Sequence, residues 1–557
     1  MTNNATRLSI YDGRELWKDL IDFNLVEKET PYGKFLTYSD METNLYSALR
    51  RTASRFPGKI AIVDDNNKSY TYREFLQLVD QFALYLESEL NVKPGQHIGC
   101  LLFNSIEYCV AFIAAIKIGA VFIPFQTKLR KLELIRLINH SDLECIIFDD
   151  KFSSFLDDKT LNLPHKIIVH SNLNELGLPM SFDEELQSRE SVGHAYDNAL
   201  LIFTSGTTSL CKGAVLTNFN IMHAVISYQK ILNISENDST IIATPIYYVT
   251  GLIALLGLFI TSGGKIFLHK YFDAKRVLQT IKTHDITFFH ASPTIFFLLF
   301  DVAADFPELP SLRAFACGAA NMPPEKILEL HQWLPQMEFH TIYGLTETSS
   351  PATVFPVDAA ESSFIGSSGI PIPGTEFKIV DPGKKVLPIG EFGEVLIKGS
   401  NILKEYYKQE VSNLDKDGWL STGDIGYFND QGYLYVVDRI KDMIDRGGDK
   451  VFSYDVENEL HKIPSILDAA VVGIPDRLYG EVVAAMVTCS PNCQYDEEAI
   501  KNLLATKMAR HEVPVKIMFV EEIPKAENAK TDKKRIREIL SSGVEISTEG
   551  SKNKRFK

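Results

Sequence analysis

Short apolar segments alternate with amphipathic segments along most of this chain, and no other feature constrains its fold as strongly. The segment 59–64 is typical of a strand, and 71–90 is typical of a helix with apolar residues three or four positions apart. The strand-like segments are apolar throughout, as in strands buried on both faces. The alternation therefore predicts an α/β fold, with mainly parallel sheets covered by helices. Further strands are predicted at 97–103, 121–124 and 144–149, and further helices up to Lys117 and at 132–139.

The C-terminal part of the chain follows a different pattern. After about Glu361 the predicted strands are shorter and the turns denser, which indicates a small β-rich subdomain. A strand predicted at 433–437 then leads into a charged segment, beyond which a compact α+β unit is predicted. The last residues, from Ser541 on, are polar and rich in lysine and are predicted to be disordered. The predicted units are a large N-terminal domain (1–437), a boundary segment (438–441), a small C-terminal domain (442–540) and a tail (541–557).

Composition excludes several classes of function. The 57 Lys and Arg residues against 72 Asp and Glu residues give a net charge of −15, which argues against non-specific nucleic-acid binding. The most apolar stretch, 251–260, is far shorter than the ~20 residues needed to cross a bilayer, and the N-terminus lacks the pattern of a signal peptide. Another apolar stretch, 101–125, contains Glu107 and Lys117 and is predicted as a buried helix followed by a strand. The seven scattered cysteines indicate a reducing compartment, and a cytoplasmic location is predicted.

The strongest local signal is the segment 201–213, LIFTSGTTSLCKG, in which a predicted strand enters a hydroxyl-rich loop. Hydroxyl groups and backbone N–H groups in such a loop can surround phosphate oxygens, and Lys212 adds positive charge. The segment does not fit the P-loop pattern, which would need glycine at Cys211. A solvated Ser/Thr-rich turn is the alternative. The candidate phosphate-binding residues are Thr204, Ser205, Gly206, Thr207, Thr208 and Lys212.

Three later segments favour the phosphate interpretation. The segment 343–348, YGLTET, follows a predicted strand and places an aromatic ring that can stack on a base near Glu347, a carboxylate that can hold Mg²⁺. Asp424 offers a carboxylate suited to two sugar hydroxyls, and Lys530 lies in a C-terminal loop. Each segment alone is typical of a solvated turn. Their order within one chain favours a shared function.

From about Leu45 to about Leu540, the sequence resembles the adenylate-forming superfamily of acyl-CoA synthetases, peptide-synthetase adenylation domains and beetle luciferases, and it is most similar to an acyl-CoA ligase. The resemblance implies an ATP-dependent acid–thiol ligase that uses Mg²⁺ and CoA and acts on a fatty or aryl acid. It also implies that 1–437 binds ATP and the acid, that 438–441 is a hinge, and that 442–540 is a mobile catalytic lid.

The resemblance also implies roles for individual residues. The catalytic group would comprise Lys530, Glu347, Thr204 and Lys441, with Glu347 as the metal ligand. ATP or AMP would be bound by Thr204, Ser205, Gly206, Thr207, Thr208, Lys212, Gly318, Ala319, Ala320, Tyr343, Gly344, Thr346, Glu347, Asp424, Arg439 and Lys530. The acyl pocket would comprise Tyr247, Tyr248, Thr250, Gly251, Ala254 and Gly318, and the CoA tunnel Gly447 and Gly448.

The chain departs from the family pattern at four places. Ser209-Leu210-Cys211 replaces the Gly-x-Pro before the loop lysine, and Tyr248 replaces a common histidine. Ala529 replaces the glycine before the catalytic lysine, and Ser453 replaces a proline that follows the glycine pair. None of these changes removes a reacting group, so the chain is predicted to be active.

Several alternatives stay open. An amino-acid adenylation domain is disfavoured because the segment 247–250, YYVT, lacks the aspartate that would pair with a substrate ammonium, and an unpaired buried ammonium is costly. A stand-alone adenylation enzyme that loads a carrier-protein thiol, a non-catalytic nucleotide or acyl sensor, and a luciferase-like oxygenase are the others.

The segments implied to line the acyl pocket, 247–254, 288–292 and 318–320, are apolar or neutral, which favours a hydrophobic acyl or aryl group over a diacid. His290 could contact the substrate. The favoured interpretation is a core histidine whose hydrogen bonds are satisfied within the fold.

Overall fold

The computed structural model describes residues 10–161, 163–170, 177–180, 191–204, 211–409, 413–490, 495–525 and 531–542. The α/β class predicted from the sequence is confirmed: the structure has three sheets with parallel strands, an antiparallel sheet and a small C-terminal α+β unit. The predicted strand at 121–124 is found as Val121–Pro124, and the predicted helix at 71–90 as Tyr72–Ser88. This helix begins at a capping box, in which Thr71 and Glu74 satisfy each other's backbone N–H groups.

Two sheets form the first half of the large N-terminal part. A seven-stranded sheet has five parallel strands and two antiparallel strands at one edge; its order is Glu405–Tyr406, Lys212–Thr217, Asn198–Thr204, Val121–Pro124, His97–Leu101, Leu143–Asp149 and His165–Val169. A four-stranded sheet has the order Ser239–Ile242, Lys265–Leu268, Ile60–Val63 and Ser69–Thr71.

The third sheet begins with three parallel strands and carries several candidate site residues at its strand ends. Its order is Phe288–Ala291, Ala314–Cys317, Glu338–Tyr343, Thr353–Val354 and Ile370–Pro371. The antiparallel sheet corresponds to the predicted β-rich subdomain and comprises Tyr11–Asp12, Thr375–Val380, Gly393–Gly399, Leu420–Phe428 and Leu434–Arg439. A separate hairpin pairs Leu25–Thr30 with Gly33–Tyr38.

Helices pack against these sheets, and the buried apolar residues between them form several hydrophobic clusters, of which one is much larger than the others. The prediction for the segment 101–125 is confirmed, because it forms the helix Ile106–Lys117 and then a strand. Lys117 is 4% exposed, and its ammonium is paired with Asp80 at 2.8 Å, so the buried charge is compensated.

The described α-helices of the large part are Gly13–Trp17, Leu45–Arg55, Tyr72–Ser88, Ile106–Lys117, Lys131–His140, Ser153–Leu156, Asn218–Ile231, Leu258–Ser262, Ala274–His284, Pro293–Phe300 and Pro324–Trp333. Thr250–Gly257 forms a π-helix, and short 3₁₀ turns lie at Asp150–Phe152, Ala303–Asp305, Thr346–Thr348 and Ala359–Glu361. Among the described residues, no helix combines the length and the apolar character that crossing a membrane requires.

The C-terminal unit has hydrophobic clusters of its own, which include Val456, Val471 and Ile536. It contacts the large part through the stacked rings of Phe392 and Phe452, whose centroids are 5.3 Å apart. Its strands are Ile444–Arg446, Asp449–Val451, Ile466–Asp476, Gly480–Cys489 and Lys516–Phe519, and its helices are Ser453–His461, Glu497–Ala505 and Lys533–Ser542.

Two sequence boundaries differ from the structure. The strand predicted to end at Val437 continues through Arg439, because Asp438 and Arg439 pair with the neighbouring strand. The disorder predicted from Ser541 is wrong for the first two residues, since Ser541 and Ser542 end a helix that Leu540 anchors in the core. The rest of the predicted tail lies outside the described residues.

Candidate active site

Lys212 and Glu347, which come from separate sequence motifs, meet at Tyr406. The Tyr406 hydroxyl donates a hydrogen bond to Glu347 Oε1 at 2.9 Å, and Lys212 Nζ lies 5.0 Å from the centroid of the Tyr406 ring. Burial, and then the Glu347 carboxylate, raise the pKa of Tyr406 far above its usual value, so its hydroxyl keeps the proton that it donates. One aromatic side chain therefore orients a cation and a carboxylate. Sequence reasoning missed Tyr406, because the contact joins strand residues to a turn 59 positions away.

Glu347 fits the requirements of a Mg²⁺ ligand. It is half-buried in the turn Thr346–Thr348, and its backbone carbonyl accepts a hydrogen bond from Leu403 N at 2.7 Å. Only one of its carboxylate oxygens has a hydrogen-bond partner among the described residues, which leaves Oε2 available to a hard cation.

The turn that carries Glu347 depends on a close backbone approach. A Cβ on Gly344 would lie 1.5 Å from the carbonyl oxygen of Ser350, so only glycine fits at this position. Ser349 and Ser350 have φ values of 55° and 96°, a left-handed conformation that non-glycine residues seldom adopt. The chain thus folds back directly after Tyr343 and holds the carboxylate at the end of its strand.

A second cluster joins Tyr343, Asp424 and Arg439. The Tyr343 hydroxyl donates to Asp424 Oδ2 at 2.7 Å, and Arg439 Nε donates to Asp424 Oδ1 at 3.0 Å. Burial, followed by the Asp424 carboxylate, raises the pKa of Tyr343 well above its usual value. Asp424 is 3% exposed, and the guanidinium compensates its charge. An ionised carboxylate has about four acceptor positions, so Asp424 can still accept hydrogen bonds from sugar hydroxyls.

The predicted phosphate loop connects two antiparallel strands at Thr204 and Lys212. These residues face each other in the register, and Thr204 Oγ1 donates to the carbonyl oxygen of Lys212 at 3.2 Å. Lys212 Nζ also donates to Asn413 Oδ1 at 3.3 Å. Ser205, Gly206, Thr207 and Thr208, together with the departures Ser209 and Leu210, lie outside the described residues.

The segment predicted to line an acyl pocket begins at two tyrosines. The rings of Tyr247 and Tyr248 make an edge-to-face contact with centroids 4.7 Å apart, and the chain then continues into the π-helix Thr250–Gly257. Gly251 and Ala254 are buried in that helix. The buried side chain of Asn104 fixes the approach to it: Nδ2 donates to the carbonyl oxygen of Thr244 at 2.8 Å, and Oδ1 accepts from Ile246 N at 2.8 Å. Asn104 is a second residue that sequence reasoning missed.

Gly318 directly follows the strand Ala314–Cys317 of the third sheet. It is buried, and a Cβ added to it would lie 3.1 Å from the carbonyl oxygen of Ile342 and 3.5 Å from His290 Nε2. Ala319 and Ala320 follow at the strand end and are exposed, with Ala319 at a φ of 71°. The interpretation of His290 as a core histidine with satisfied hydrogen bonds is wrong, because its Nδ1 is buried and has no partner.

The C-terminal candidates among the described residues are Gly447, Gly448 and Lys441. Gly447 and Gly448 form a hairpin turn with φ values of 64° and 101°. Gly447 N donates to the carbonyl oxygen of Tyr479 at 2.8 Å, and Gly448 N donates to Asp445 Oδ1 at 2.8 Å. Lys441 is exposed in the turn that follows the strand Leu434–Arg439. Lys530 and Ala529 lie outside the described residues.

Comparison with known proteins gives two family matches. A family model described as AMP-binding enzyme matches residues 49–407, and one described as AMP-binding enzyme C-terminal domain matches residues 455–530. The 2-succinylbenzoate–CoA ligase of Bacillus licheniformis is 32% identical over 483 residues, which cover 86% of this chain and 96% of that protein. A long-chain-fatty-acid–CoA ligase of Mycobacterium tuberculosis is 30% identical over 512 residues, which cover 90% of this chain and 99% of that protein.

The fold is also found among solved structures. The o-succinylbenzoate CoA synthetase of Bacillus subtilis in complex with the acyl-adenylate intermediate OSB-AMP matches with a TM-score of 0.76 and 25% identity. The same enzyme in complex with ATP and magnesium ion matches with a TM-score of 0.74 and 25% identity. The matches cover 89% of this chain, and 98% and 99% of those two chains, respectively.

Proposed function

This chain belongs to the AMP-binding enzyme family, and from that premise we propose that it is an ATP-dependent acid–thiol ligase. It joins a carboxylic acid to AMP with release of pyrophosphate and then transfers the acyl group to CoA. The observation that carries the proposal is the meeting of Lys212 and Glu347 at Tyr406, which sets a phosphate-binding cation beside a carboxylate with one oxygen available to a metal.

The first half-reaction makes the acid reactive. Hydroxide is a poor leaving group, whereas AMP is a stable one, so an acid oxygen attacks the α-phosphorus of ATP and pyrophosphate leaves. We expect Lys530 to offset the negative charges of the carboxylate and the α-phosphate, and Lys212 with the residues Thr204 to Thr208 to hold the departing pyrophosphate. Glu347 would hold Mg²⁺, which would supply positive charge to stabilise the negative charge of the phosphates. Asp424 accepts hydrogen bonds from the ribose hydroxyls, and Arg439 and Tyr343 hold its carboxylate in place.

The second half-reaction uses another face of the C-terminal domain. The CoA thiol attacks the carbonyl carbon of the acyl-adenylate, a thioester bond forms, and AMP leaves with the electron pair of the broken C–O bond. Gly447 and Gly448 line the thiol path. Their positive φ values disfavour residues with a side chain at these two positions. Because Lys530 and the glycine pair belong to one domain, that domain rotates at Lys441 between the two steps.

The substrate is a neutral organic acid, not an α-amino acid. The segment 247–254 contains no carboxylate, so a buried substrate ammonium would have no ion-pair partner there. Pyrophosphate release with a panel of fatty, aryl and amino acids, followed by mass spectrometry of the thioester, tests both the reaction and the acid class. Stronger release with an amino acid than with every fatty or aryl acid would contradict the proposal, and transfer only to a carrier-protein thiol would replace CoA as acceptor.

Glu347→Gln is expected to lower turnover at limiting Mg²⁺ by about tenfold, because it removes the charge and preserves the shape of the side chain. Glu405→Gln is the matched control, since Glu405 is exposed and adjoins Tyr406. Pyrophosphate release and calorimetric ATP binding are measured against Mg²⁺ concentration. Wild-type Mg²⁺ dependence in the Glu347 variant would show that this carboxylate does not hold the metal.

Tyr406→Phe is expected to raise the Mg²⁺ concentration for half-maximal ATP binding by about three- to tenfold, because a hydrogen bond to a charged group is lost while the ring over Lys212 is kept. Tyr407→Phe serves as the control, since its hydroxyl donates at 2.7 Å to Asp142, an exposed carboxylate. Equal Mg²⁺ dependence in the two variants would mean that Tyr406 does not position Glu347.

A further inference from the structure

His290 is a buried histidine without a hydrogen-bond partner. It lies in the strand Phe288–Ala291 opposite Ala316 and is 2% exposed. Its Nδ1 is buried and unpaired, and no hydrogen bond joins its Nε2 to any described residue. A neutral imidazole has one N–H donor and one nitrogen acceptor, and no described residue satisfies either of them. Buried polar groups in native proteins rarely lack a hydrogen-bond partner, so the unpaired Nδ1 of His290 needs a structural or functional explanation.

Another buried histidine of this chain has a hydrogen-bond partner for each of its ring nitrogens. His223 is fully buried, with Nδ1 2.9 Å from Thr37 Oγ1 and Nε2 2.9 Å from the carbonyl oxygen of Pro373. Burial lowers the pKa of His223 to about 4 and that of His290 to about 3, so both rings are neutral near pH 7. Burial is the one cause for His290, and no charge or hydrogen bond offsets it.

The unpaired ring of His290 lies beside Gly318, a residue of the proposed acyl pocket. Its Nε2 is 3.5 Å from the position that a Cβ on Gly318 would occupy, and the carbonyl oxygen of Ile342 is 3.1 Å from that position. The Tyr228 ring lies at a centroid distance of 6.1 Å, but its hydroxyl pairs with Ser350 Oγ at 2.8 Å. The Tyr228 hydroxyl therefore pairs elsewhere, and a ligand atom beside Gly318 would lie within reach of Nε2.

We propose that His290 is a specificity-determining residue, and that the substrate is an acid whose acyl or aryl part carries a neutral hydrogen-bonding group such as a hydroxyl or a ketone. This inference rests on the proposed function and narrows its substrate class. A second carboxylate or an ammonium on the acid is disfavoured, because the buried apolar wall around His290 offers no compensating charge. A neutral polar group satisfies the imidazole without burying a charge.

Matched pairs of acids test the inference in the full-length protein. Benzoic acid is compared with its hydroxy- and acetyl-substituted analogues, and decanoic acid with hydroxydecanoic acids, by acid-dependent pyrophosphate release. The wild type is expected to prefer the polar member of at least one pair by about tenfold or more in kcat/KM, because a site that hydrogen-bonds its substrate discriminates strongly against an analogue lacking that group. His290→Leu should lose this preference, and His290→Gln should retain part of it.

Thermal unfolding without substrate separates recognition from a structural role. His290→Leu should unfold at the wild-type temperature or above it, because leucine replaces an unpaired polar group in an apolar wall. His223→Leu, the matched control, should lower the unfolding temperature, because it leaves Thr37 and Pro373 without their partner.

The inference is overturned if wild type and His290→Leu share one preference ratio, if the wild type prefers the apolar member of every pair, or if His290→Leu destabilises the protein as much as His223→Leu. Absence of pyrophosphate release with every acid would instead contradict the proposed function, so the two failures are distinguishable.

Discussion

Lys530→Ala is expected to lower the rate of acyl-adenylate formation from acid and ATP by roughly 10²–10³, the usual effect of losing one charge contact made in the transition state. Two anions, the carboxylate and the α-phosphate, must approach each other in this step, and the lysine ammonium offsets their repulsion. The same variant, supplied with preformed acyl-adenylate, should still form the thioester, because the proposed domain rotation separates Lys530 from the adenylate before the thiol attacks. Rapid-quench measurement of each half-reaction separates the two rates.

Lys534→Ala is the matched control for this prediction. Lys534 is exposed and lies in the helix Lys533–Ser542, four positions beyond Lys530. The control removes the same charge from the same part of the chain and should leave both half-reactions at the wild-type rate. If Lys530→Ala slows both half-reactions equally, the lysine acts through stability and its proposed role in adenylation is wrong.

Lys441→Pro is expected to have the opposite effect, sparing adenylation and lowering thioester formation by at least about tenfold, because we propose that thioester formation requires a domain rotation at this residue. Proline fixes its own φ near roughly −65° and also restricts the residue before it. Lys441 is exposed, and the turn around it is closed by hydrogen bonds from Asp442 N and Met443 N to the carbonyl oxygen of Arg439, both at 2.9 Å. The substitution therefore stiffens the backbone without removing either bond.

Lys441→Ala separates the backbone effect from the loss of charge. The alanine variant removes the same ammonium but keeps the backbone free, so it should retain both rates more fully than the proline variant. Thermal unfolding of both variants checks that the fold is intact. Loss of thioester formation to the same extent in both variants would assign the effect to the lysine charge, and the hinge proposal would be wrong.

The local elements of the fold were predictable because their signals are local. The segment Val121–Pro124 is apolar throughout, which is typical of a buried strand. Thr71 and Glu74 have the spacing of a capping box, which is typical of the start of a helix. Sheet membership was not predictable, because pairing is non-local: Ile62 lies beside Ile266, and Tyr11 beside Phe377.

The π-helix Thr250–Gly257 was also not predictable. Its residues are apolar on every side, so they carry no periodicity that distinguishes one helix type from another. A local contact adds to this difficulty, because Gly251 packs directly on the backbone of Ile246, with a Cβ position only 2.6 Å from Ile246 Cα.

The residues of the candidate site also differ in whether their signals are local or non-local. Glu347 and Asp424 stand in recognisable motifs, and they were found from residue type and order. Tyr406 and Asn104 stand in no motif, and their importance depends on distant partners that only the folded chain brings together. Whether the ring of His290 finds a partner could not be decided from the sequence, because it depends on distant residues such as Tyr228 that only the folded chain brings near.

If the acid oxygen attacks the α-phosphorus of ATP, one oxygen of the acid must leave with AMP when the thioester forms. The protein is incubated with ATP, Mg²⁺, CoA and an acid whose carboxylate carries a heavy oxygen isotope, and the products are analysed by mass spectrometry. We expect acyl-CoA, pyrophosphate without label, and AMP that carries one labelled oxygen from the acid. Formation of ADP and phosphate, or of AMP without label alongside acyl-CoA, would contradict attack by the acid on the α-phosphorus.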